Sequence, residues 1–449
     1  MICPVYRRAT RTALTRALAY AFLAGTWNEA AMVRRGRAAL DRRPPWLLPV
    51  VRAVLEGYHR PPLDRPRELA AFIAVAMDRV SQPEGVPAAP RVRRWFTPES
   101  AMGRRRWPVP DLPSLRAVGE FLQLSDGDLA WLSDVRSLER SVPDERLRNY
   151  RYTWLSRGER PPRAIESPKY RLKAAQRVVL HEILDRIPAH PRAHGFTRGR
   201  SALSHAGEHV AQKVVVRLDL EDFFATIEAR RVYGIFRTAG YPEAVAHLLT
   251  SLTTNVVALT AWTCVPRPRE PAQIAAHHRL GRRLATPHLP QGAPTSPALA
   301  NLAAFALDRR VAGLAAALGA TYTRYADDLT ISGGGLLLSR AGDVHATIAT
   351  IAAEEGFAVN ERKSALMTRA GRQRVCGIVV NDRPNVPRDE YDRLKAILHN
   401  AARHGPAGEN RAGVPDFRAH LLGRIGWVES VNPARGAKLR ARFHEIAWE

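Results

Sequence analysis

Three aspartates are the residues most able to do chemistry together. Asp219 ends the β-branched run Val214-Val215-Val216-Arg217-Leu218, and Asp327 and Asp328 are adjacent in Tyr325-Ala326-Asp327-Asp328, with strand formers on both sides. Neighbouring residues of a straight strand point to opposite faces. Two adjacent aspartates therefore converge on one site only at a turn, which implies a tight hairpin. Bringing Asp219 beside that hairpin clusters three carboxylates, which is unfavourable unless cations neutralise them. Magnesium suits such a set, because it takes carboxylate and phosphate oxygens. Two such ions about 4 Å apart can activate an attacking hydroxyl and stabilise a leaving pyrophosphate. A lone strand-end aspartate is usually a cap, and a lone Asp-Asp pair usually lies on the surface. The specificity resides in the combination and in the segments around it.

The elements that would position these groups are short strands separated by helices. Val214–Asp219, Thr321–Ile331 and Arg374–Asn381 read as strands, and Lys169–Leu184, Pro297–Leu318 and Val344–Glu355 as helices. That order suggests an α+β sheet domain. Tyr391–Ala402 and Asp416–Val428 read as a small helical C-terminal region. On the N-terminal side, residues 1–80 alternate helical stretches with breaks at Pro44-Pro45 and Pro61-Pro62. A Pro-, Gly- and Arg-rich linker is expected over Ser81–Pro110, and one or two short helices over Ser114–Leu138. Residues 1–140 carry no evident constellation of reactive groups, and there is no internal repeat.

Composition narrows the class. The 449 residues allow two or three domains, and 45% hydrophobic with 25% charged residues excludes a mostly disordered chain. Cys3, Cys264 and Cys376 are too few and scattered for a disulfide framework or a cysteine zinc site. No apolar run reaches membrane-spanning length. The net charge of +25 suggests a polyanion partner, most often nucleic acid. Only six of the 68 basic residues are lysines. The first 28 residues carry Arg7, Arg8, Arg11 and Arg16 and no acid, around the apolar Ala17–Ala24. Arg16 interrupts that apolar run and no small-residue cleavage site follows. A basic amphipathic helix of the folded protein is therefore preferred to a targeting peptide, with a cytoplasmic location by default.

Several further segments fall in a family order around the aspartates. Tyr325-Ala326-Asp327-Asp328 matches a YxDD box, and Val216–Phe224 matches the strand of the first catalytic aspartate. Leu289-Pro290-Gln291-Gly292-Ala293-Pro294-Thr295-Ser296-Pro297 matches LPQGxPxSP, and Asn360-Glu361-Arg362-Lys363-Ser364 resembles NxxKT. His194-Gly195-Phe196 with Gly199-Arg200-Ser201 matches a fingers segment. With these motifs, from about Arg148 onward, the chain resembles a bacterial reverse transcriptase of the retron type. Two features point to retrons in particular. His205-Ala206-Gly207-Glu208-His209 resembles NAxxH with His205 replacing Asn, and Val375-Cys376-Gly377 resembles VTG with Cys replacing Thr. The His pair at i, i+4 could also suggest zinc, but no third ligand is visible.

The resemblance implies an α+β right-hand polymerase, with fingers and palm at 149–385, a helical thumb at 386–449 and a helical N-terminal extension at 1–140. Gly423-Arg424-Ile425 and Asn432-Pro433 with Lys438 fit a retron-type thumb, with no room left for a maturase or endonuclease region. The resemblance implies catalysis by Asp219, Asp327 and Asp328 with two Mg2+ ions, the carbonyl of Leu220 completing the metal shell. It places Gln291 and Gly292 against incoming nucleotide and template, Phe224 against the sugar and Lys363 toward the triphosphate. Arg163, Lys169 and Arg171 would hold phosphates. RNA contacts would involve His205, His209, Val375, Cys376, Gly377 and Arg424. The implied partners are dNTPs, a cognate noncoding RNA as template and primer, its 2′-primed branched RNA–DNA product and an associated antiphage effector protein, with no membrane. The competing readings are another bacterial reverse transcriptase (diversity-generating, abortive-infection or group II intron-like), a non-catalytic RNA-binding scaffold and a generic DNA-binding protein.

Overall fold

The computed structural model describes residues 4–80, 90–158 and 160–448. The chain divides into two compact units. One comprises residues up to 187 together with 228–295, and the other comprises 188–227 together with 296–449.

The first unit opens with four helices, α1 (Pro4–Leu23), α2 (Glu29–Ala39), α3 (Leu47–Gly57) and α4 (Pro66–Arg79). Leu14, Leu18 and Phe22 recur at helical spacing on α1 and are buried against Leu47, Val50 and Val54 of α3 and Leu69 and Ile73 of α4. Each such side chain contributes about 1.5–3 kcal/mol on leaving water. The helix starts are chemically marked. Asn28 accepts from the Ala31 N–H at 2.9 Å, and Pro66 sits in the first turn of α4, where a missing N–H costs nothing.

Of the expected linker, residues 81–89 lie outside the described residues, as does Cys3. The rest of it, 90–110, has no helix but is fastened in place. Arg93 N–H donates to Ala39 (2.8 Å), Glu99 N–H to Leu23 (3.2 Å) and Gly103 N–H to Gly240 (2.7 Å). The start of α4 is tied to the later part of the unit, because the Glu243 carboxylate accepts from the Arg67 N–H at 2.8 Å. Strands β1 (Tyr150–Arg157) and β2 (Arg160–Pro168) form an antiparallel hairpin that the sequence pattern does not announce.

The second unit is built on a four-stranded antiparallel sheet in the order β4-β5-β3-β6, from β3 (Val214–Asp219), β4 (Thr321–Tyr325), β5 (Asp328–Gly333) and β6 (Ala365–Thr368). The expected single strand Thr321–Ile331 is thus two strands around a turn at Ala326 and Asp327, the tight hairpin that the adjacent aspartates require. The expected strand Arg374–Asn381 is also split, into β7 (Arg374–Val375) and β8 (Ile378–Val379). Cys376 and Gly377 both take positive φ, 45° and 84°, as a two-residue hairpin turn demands. Helices Arg388–His404, Phe417–Val431 and Pro433–His444 pack through Leu394, Leu398, Ile425 and Leu439. The last of these is a helix beyond those read from the sequence.

Candidate active site

The sheet register brings the acids together. Asp219 at the end of β3 lies directly opposite Asp328 at the start of β5, and Tyr325 pairs with Asp328 across the turn. Opposed residues of antiparallel strands share a face, and like charges there repel. The Leu220 N–H donates to the carbonyl of Asp327 at 2.8 Å, fixing the turn against the end of β3. Ala326 takes the left-handed φ of 56° that this tight turn needs.

The cluster needs positive charge. Asp328 Oδ1 is buried without a hydrogen-bond partner. Burial pushes the Asp328 carboxyl up to about 7, with Asp327 and Asp219 adding to the rise and Arg217 and Lys363 opposing it. Lys363 Nζ lies 2.7 and 2.8 Å from the two carboxylate oxygens of Asp219. The Asn360 N–H donates to the Asp219 carbonyl at 2.7 Å, and this bond delivers the short turn Glu361–Lys363 to the strand end. Lys363, expected to face a triphosphate, is drawn to the nearest uncompensated carboxylate. An orphaned buried carboxylate oxygen on Asp328, opposite Asp219 and next to the turn that carries Asp327, fits a hard cation with oxygen preference. Phe223 is buried against Phe357, with the Arg324 guanidinium 5.7 Å from its ring, whereas Phe224 is half-buried beside Phe196.

A buried polar network behind the hairpin was not legible as functional. Arg324 and Asp308 are both fully buried and paired, with Nε–Oδ1 and Nη2–Oδ2 each 2.7 Å. The Tyr322 hydroxyl donates to the same Asp308 at 2.8 Å. Arg324 Nη1 donates to Asn301 Oδ1 at 3.1 Å and to the carbonyl of Ala326, inside the turn, at 2.8 Å. Asn301 in turn donates to the Gly195 carbonyl at 2.8 Å. The His194 N–H donates to the Arg324 carbonyl (2.7 Å) and the Arg324 N–H to Arg192 (2.8 Å), so residues 192–194 cover the edge strand β4. A Cβ on Gly195 would fall on the Ala326 backbone nitrogen. The signals in the sequence were an arginine inside a strand next to the YxDD box and a lone acid, Asp308, on an apolar helix.

His205 and His209 correct the expectation of RNA contact, because both are fully buried. His209 is hydrogen-bonded to Ser332 and Thr323, each at 2.7 Å, and His205 to Thr323 at 2.6 Å. Burial lowers their pKa to about 3 and about 2, helped by neighbouring histidines, so both imidazoles are neutral cross-braces between β4, β5 and the Ala202–Gly207 helix. No group of three His, Cys, Asp or Glu residues disposed to hold a metal ion occurs among the described residues, and this applies to the three aspartates as they stand as well as to the His pair. Val375 is likewise fully buried, which corrects its assignment to RNA contact. Cys376 is half-buried, its thiol pushed up to about 12 by burial and then by Asp328. Gly377 completes that turn. Arg424 lines a groove of about 470 Å³ with Tyr391 and Trp427.

The remaining predicted residues belong to the first unit. Gln291 accepts from the Glu166 N–H at 2.8 Å through its carbonyl. Gly292, with φ of 135°, approaches β2 so closely that a Cβ would sit 2.8 Å from the Glu166 carbonyl oxygen. Lys169 Nζ donates to the carbonyls of Glu145 and Arg146, Arg171 pairs with Asp128 at 2.8 Å, and Arg163 is half-buried on β2.

The sequence is similar to known proteins. Residues 158–394, just over half of the chain, match the family described as reverse transcriptase (RNA-dependent DNA polymerase). The chain is 40% identical over 300 residues to the retron Mx65 reverse transcriptase of Myxococcus xanthus, covering 67% of this chain and 65% of that protein. It is 35% identical over 360 residues to the retron Mx162 enzyme of the same species, covering 75% and 67%. With the retron Ec86 reverse transcriptase of Escherichia coli it shares 32% over 252 residues, covering 56% and 68%. The aligned stretches thus span about two thirds of each relative's length. No helix among the described residues is long and apolar enough to cross a membrane.

Proposed function

The chain belongs to the retron-type reverse transcriptases, and from that premise we propose that it is an RNA-directed DNA polymerase copying a cognate structured noncoding RNA into single-stranded DNA. The observation that carries this reading is the register that sets Asp219 opposite Asp328 with Asp327 in the intervening turn. In this reading the sheet unit supplies the palm, the helices beyond residue 386 the thumb, and the hairpin β1–β2 with the Leu289–Pro297 segment part of the fingers. Residues 1–140 are an extension.

The chemistry is nucleotidyl transfer. A primer hydroxyl attacks the α-phosphate of a deoxynucleoside triphosphate, an O–P bond forms and the bond to pyrophosphate breaks. Two magnesium ions held by Asp219, Asp327, Asp328 and the Leu220 carbonyl would supply charge neutralisation at the attacking and leaving oxygens. Lys363 pairs with Asp219 and orients its carboxylate. The Arg324–Asp308 network holds the turn still, so the acids need no reorganisation during reaction. Phe224 closes the sugar side, and Gln291 with Gly292 offers backbone to nucleotide and template. The template is read through backbone and 2′-hydroxyl contacts, in keeping with a strongly basic chain. Priming from a 2′-hydroxyl, a branched RNA–DNA product, an associated effector and a role in antiphage defence complete the proposal.

The test is to sequence nucleic acid co-purified with the protein, before and after ribonuclease treatment. RNA-linked single-stranded DNA of fixed length supports the retron reading. Unlinked, heterogeneous RNA with no DNA would refute it.

A further inference from the structure

A second cationic feature lies far along the sequence from the aspartates, in the N-terminal helices. One face along α2, the loop after it and the start of α3 form one wall of a groove of about 750 Å³, and the returning segment at Arg93 forms the other. Backbone bonds hold the two walls together: Arg93 N–H to Ala39 at 2.8 Å and Asp41 N–H to Arg91 at 3.1 Å. Five exposed arginines line it: Arg34, Arg37, Arg42, Arg43 and Arg93.

Among the described residues these arginines are not spent on internal ion pairs. The two acids lining the groove are engaged elsewhere. Asp41 Oδ1 accepts from the Arg91 N–H at 2.7 Å, and Glu29 Oε2 pairs with Arg52 at 2.9 Å. None of the five arginines makes an ion pair among the described residues. Holding five like charges along one concavity costs self-repulsion, which a polyanion relieves. Two residues beyond Arg93, Trp95 is 51% exposed, its ring edge-on to Tyr20. Guanidinium forks take phosphates, and an exposed aromatic ring further along the same segment, outside the groove lining, is available to a stacked base.

We propose that this arginine-lined groove of the N-terminal helices is a second nucleic-acid site, binding the phosphate backbone of the RNA that the protein copies. The proposal rests on the polymerase reading for the identity of its ligand. It gives residues 1–140 a purpose: retaining a structured RNA independently of the reacting nucleotide.

The experiment uses the full chain with Arg34, Arg37, Arg42 and Arg43 all changed to Gln, which keeps helix propensity at Arg34 and Arg37 of α2 and removes four charges. A second variant changes the same four to Lys. A control removes equal charge at the exposed Arg136, Arg140, Arg267 and Arg269. The probe is a transcribed hairpin RNA with a single-stranded tail, titrated at several salt concentrations. The Gln variant is expected to bind on the order of 10- to 100-fold more weakly near physiological salt, and its log–log salt slope should shallow by roughly 3. The Lys variant should keep most of the slope, and the control should lose less than half as much. Extension of a short annealed primer–template at saturating concentration should persist in the Gln variant, which also reports that it is folded. If the Gln variant binds RNA like the parent while both extend primers, the groove proposal fails and the polymerase reading stands. If the parent extends no primer, the polymerase reading fails instead. Loss of binding to anionic phospholipid vesicles or to an acidic peptide, with RNA binding unchanged, would reassign the groove and overturn the proposal.

Discussion

Removing Asp308 should separate stability from catalysis in a way that only a buried positioning network can. In Asp308→Ala the Arg324 guanidinium stays fully buried but loses both 2.7 Å partners, and the Tyr322 hydroxyl loses its acceptor. Breaking a buried pair by removing one partner costs about 3–5 kcal/mol. For a unit of this size that is a fall of roughly 6–20 °C in melting temperature. The informative variant is the triple Tyr322→Phe, Asp308→Leu, Arg324→Met, which removes the mutually dependent polar groups at once. Replacing a buried pair by apolar groups of similar volume is often neutral or stabilising, so most of the melting temperature should return. The rate should not return, because the bond from Arg324 to the Ala326 carbonyl is still missing, so the turn bearing Asp327 has lost an anchor although the Leu220 N–H still holds the Asp327 carbonyl. A displacement near 1 Å can cost about a hundredfold. The assays are thermal denaturation and single-turnover, single-nucleotide extension on a preformed primer–template. A triple variant with restored stability and parental rate would refute the positioning role, and an Asp308→Ala protein melting like the parent would refute the burial argument itself.

Gly195→Ala should reduce extension at least tenfold and destabilise by about 1–3 kcal/mol, because its Cβ meets backbone of the catalytic turn and not a movable side chain; parental extension and melting would contradict this. Phe224→Val should admit ribonucleotides, reducing a sugar preference of roughly ten- to hundredfold, while Phe223→Val lowers stability alone; matched dNTP and rNTP extension on one RNA template decides, and unchanged selectivity in an active Phe224→Val protein refutes the gate. The buried His288–Glu166 pair, 3.0 Å apart, makes stability pH-dependent. Burial alone would lower the His288 pKa, but the charge and hydrogen bond of Glu166 outweigh it and the net shift is upward. The pair's contribution is therefore full below about pH 6.5 and lost as pH rises through the raised value. The melting-temperature gap between parent and His288→Gln should shrink from about pH 6 to about pH 9, and a gap that widens would reverse the assignment.

The reach of sequence reasoning can be judged from particular residues. Strand β3 was readable to its last residue, because an unbroken β-branched run ending in an acid has few alternatives. The turn at Ala326 and Asp327, between β4 and β5, followed from the geometry of adjacent side chains. Hairpin β1–β2 was missed because Pro161, Pro162 and several arginines disguise its second strand. The helix Pro433–His444 was missed because only a few apolar residues, Leu439 and Phe443 among them, mark its buried face. His205 and His209 looked like surface recognition residues. Their true partners, Thr323 and Ser332, lie more than a hundred positions away, and only the sheet register brings them together. Arg324 and Asp308 are only 16 positions apart, but their pairing depends on how the helix Phe305–Ala317 packs on β4, which local pattern does not show. Local pattern identified the groups that could do chemistry but not the buried groups that hold them.

Templated DNA synthesis by the parent and by Asp327→Asn, beside RNA binding by both, tests the central claim most directly. A carboxylate that holds the cation contributes several kcal/mol to the transition state, so its loss should cost roughly a thousandfold or more in rate. The account predicts that the parent incorporates the complementary dNTP opposite an RNA template, while Asp327→Asn binds that RNA with parental affinity and incorporates almost none. Near-parental incorporation by Asp327→Asn would contradict it.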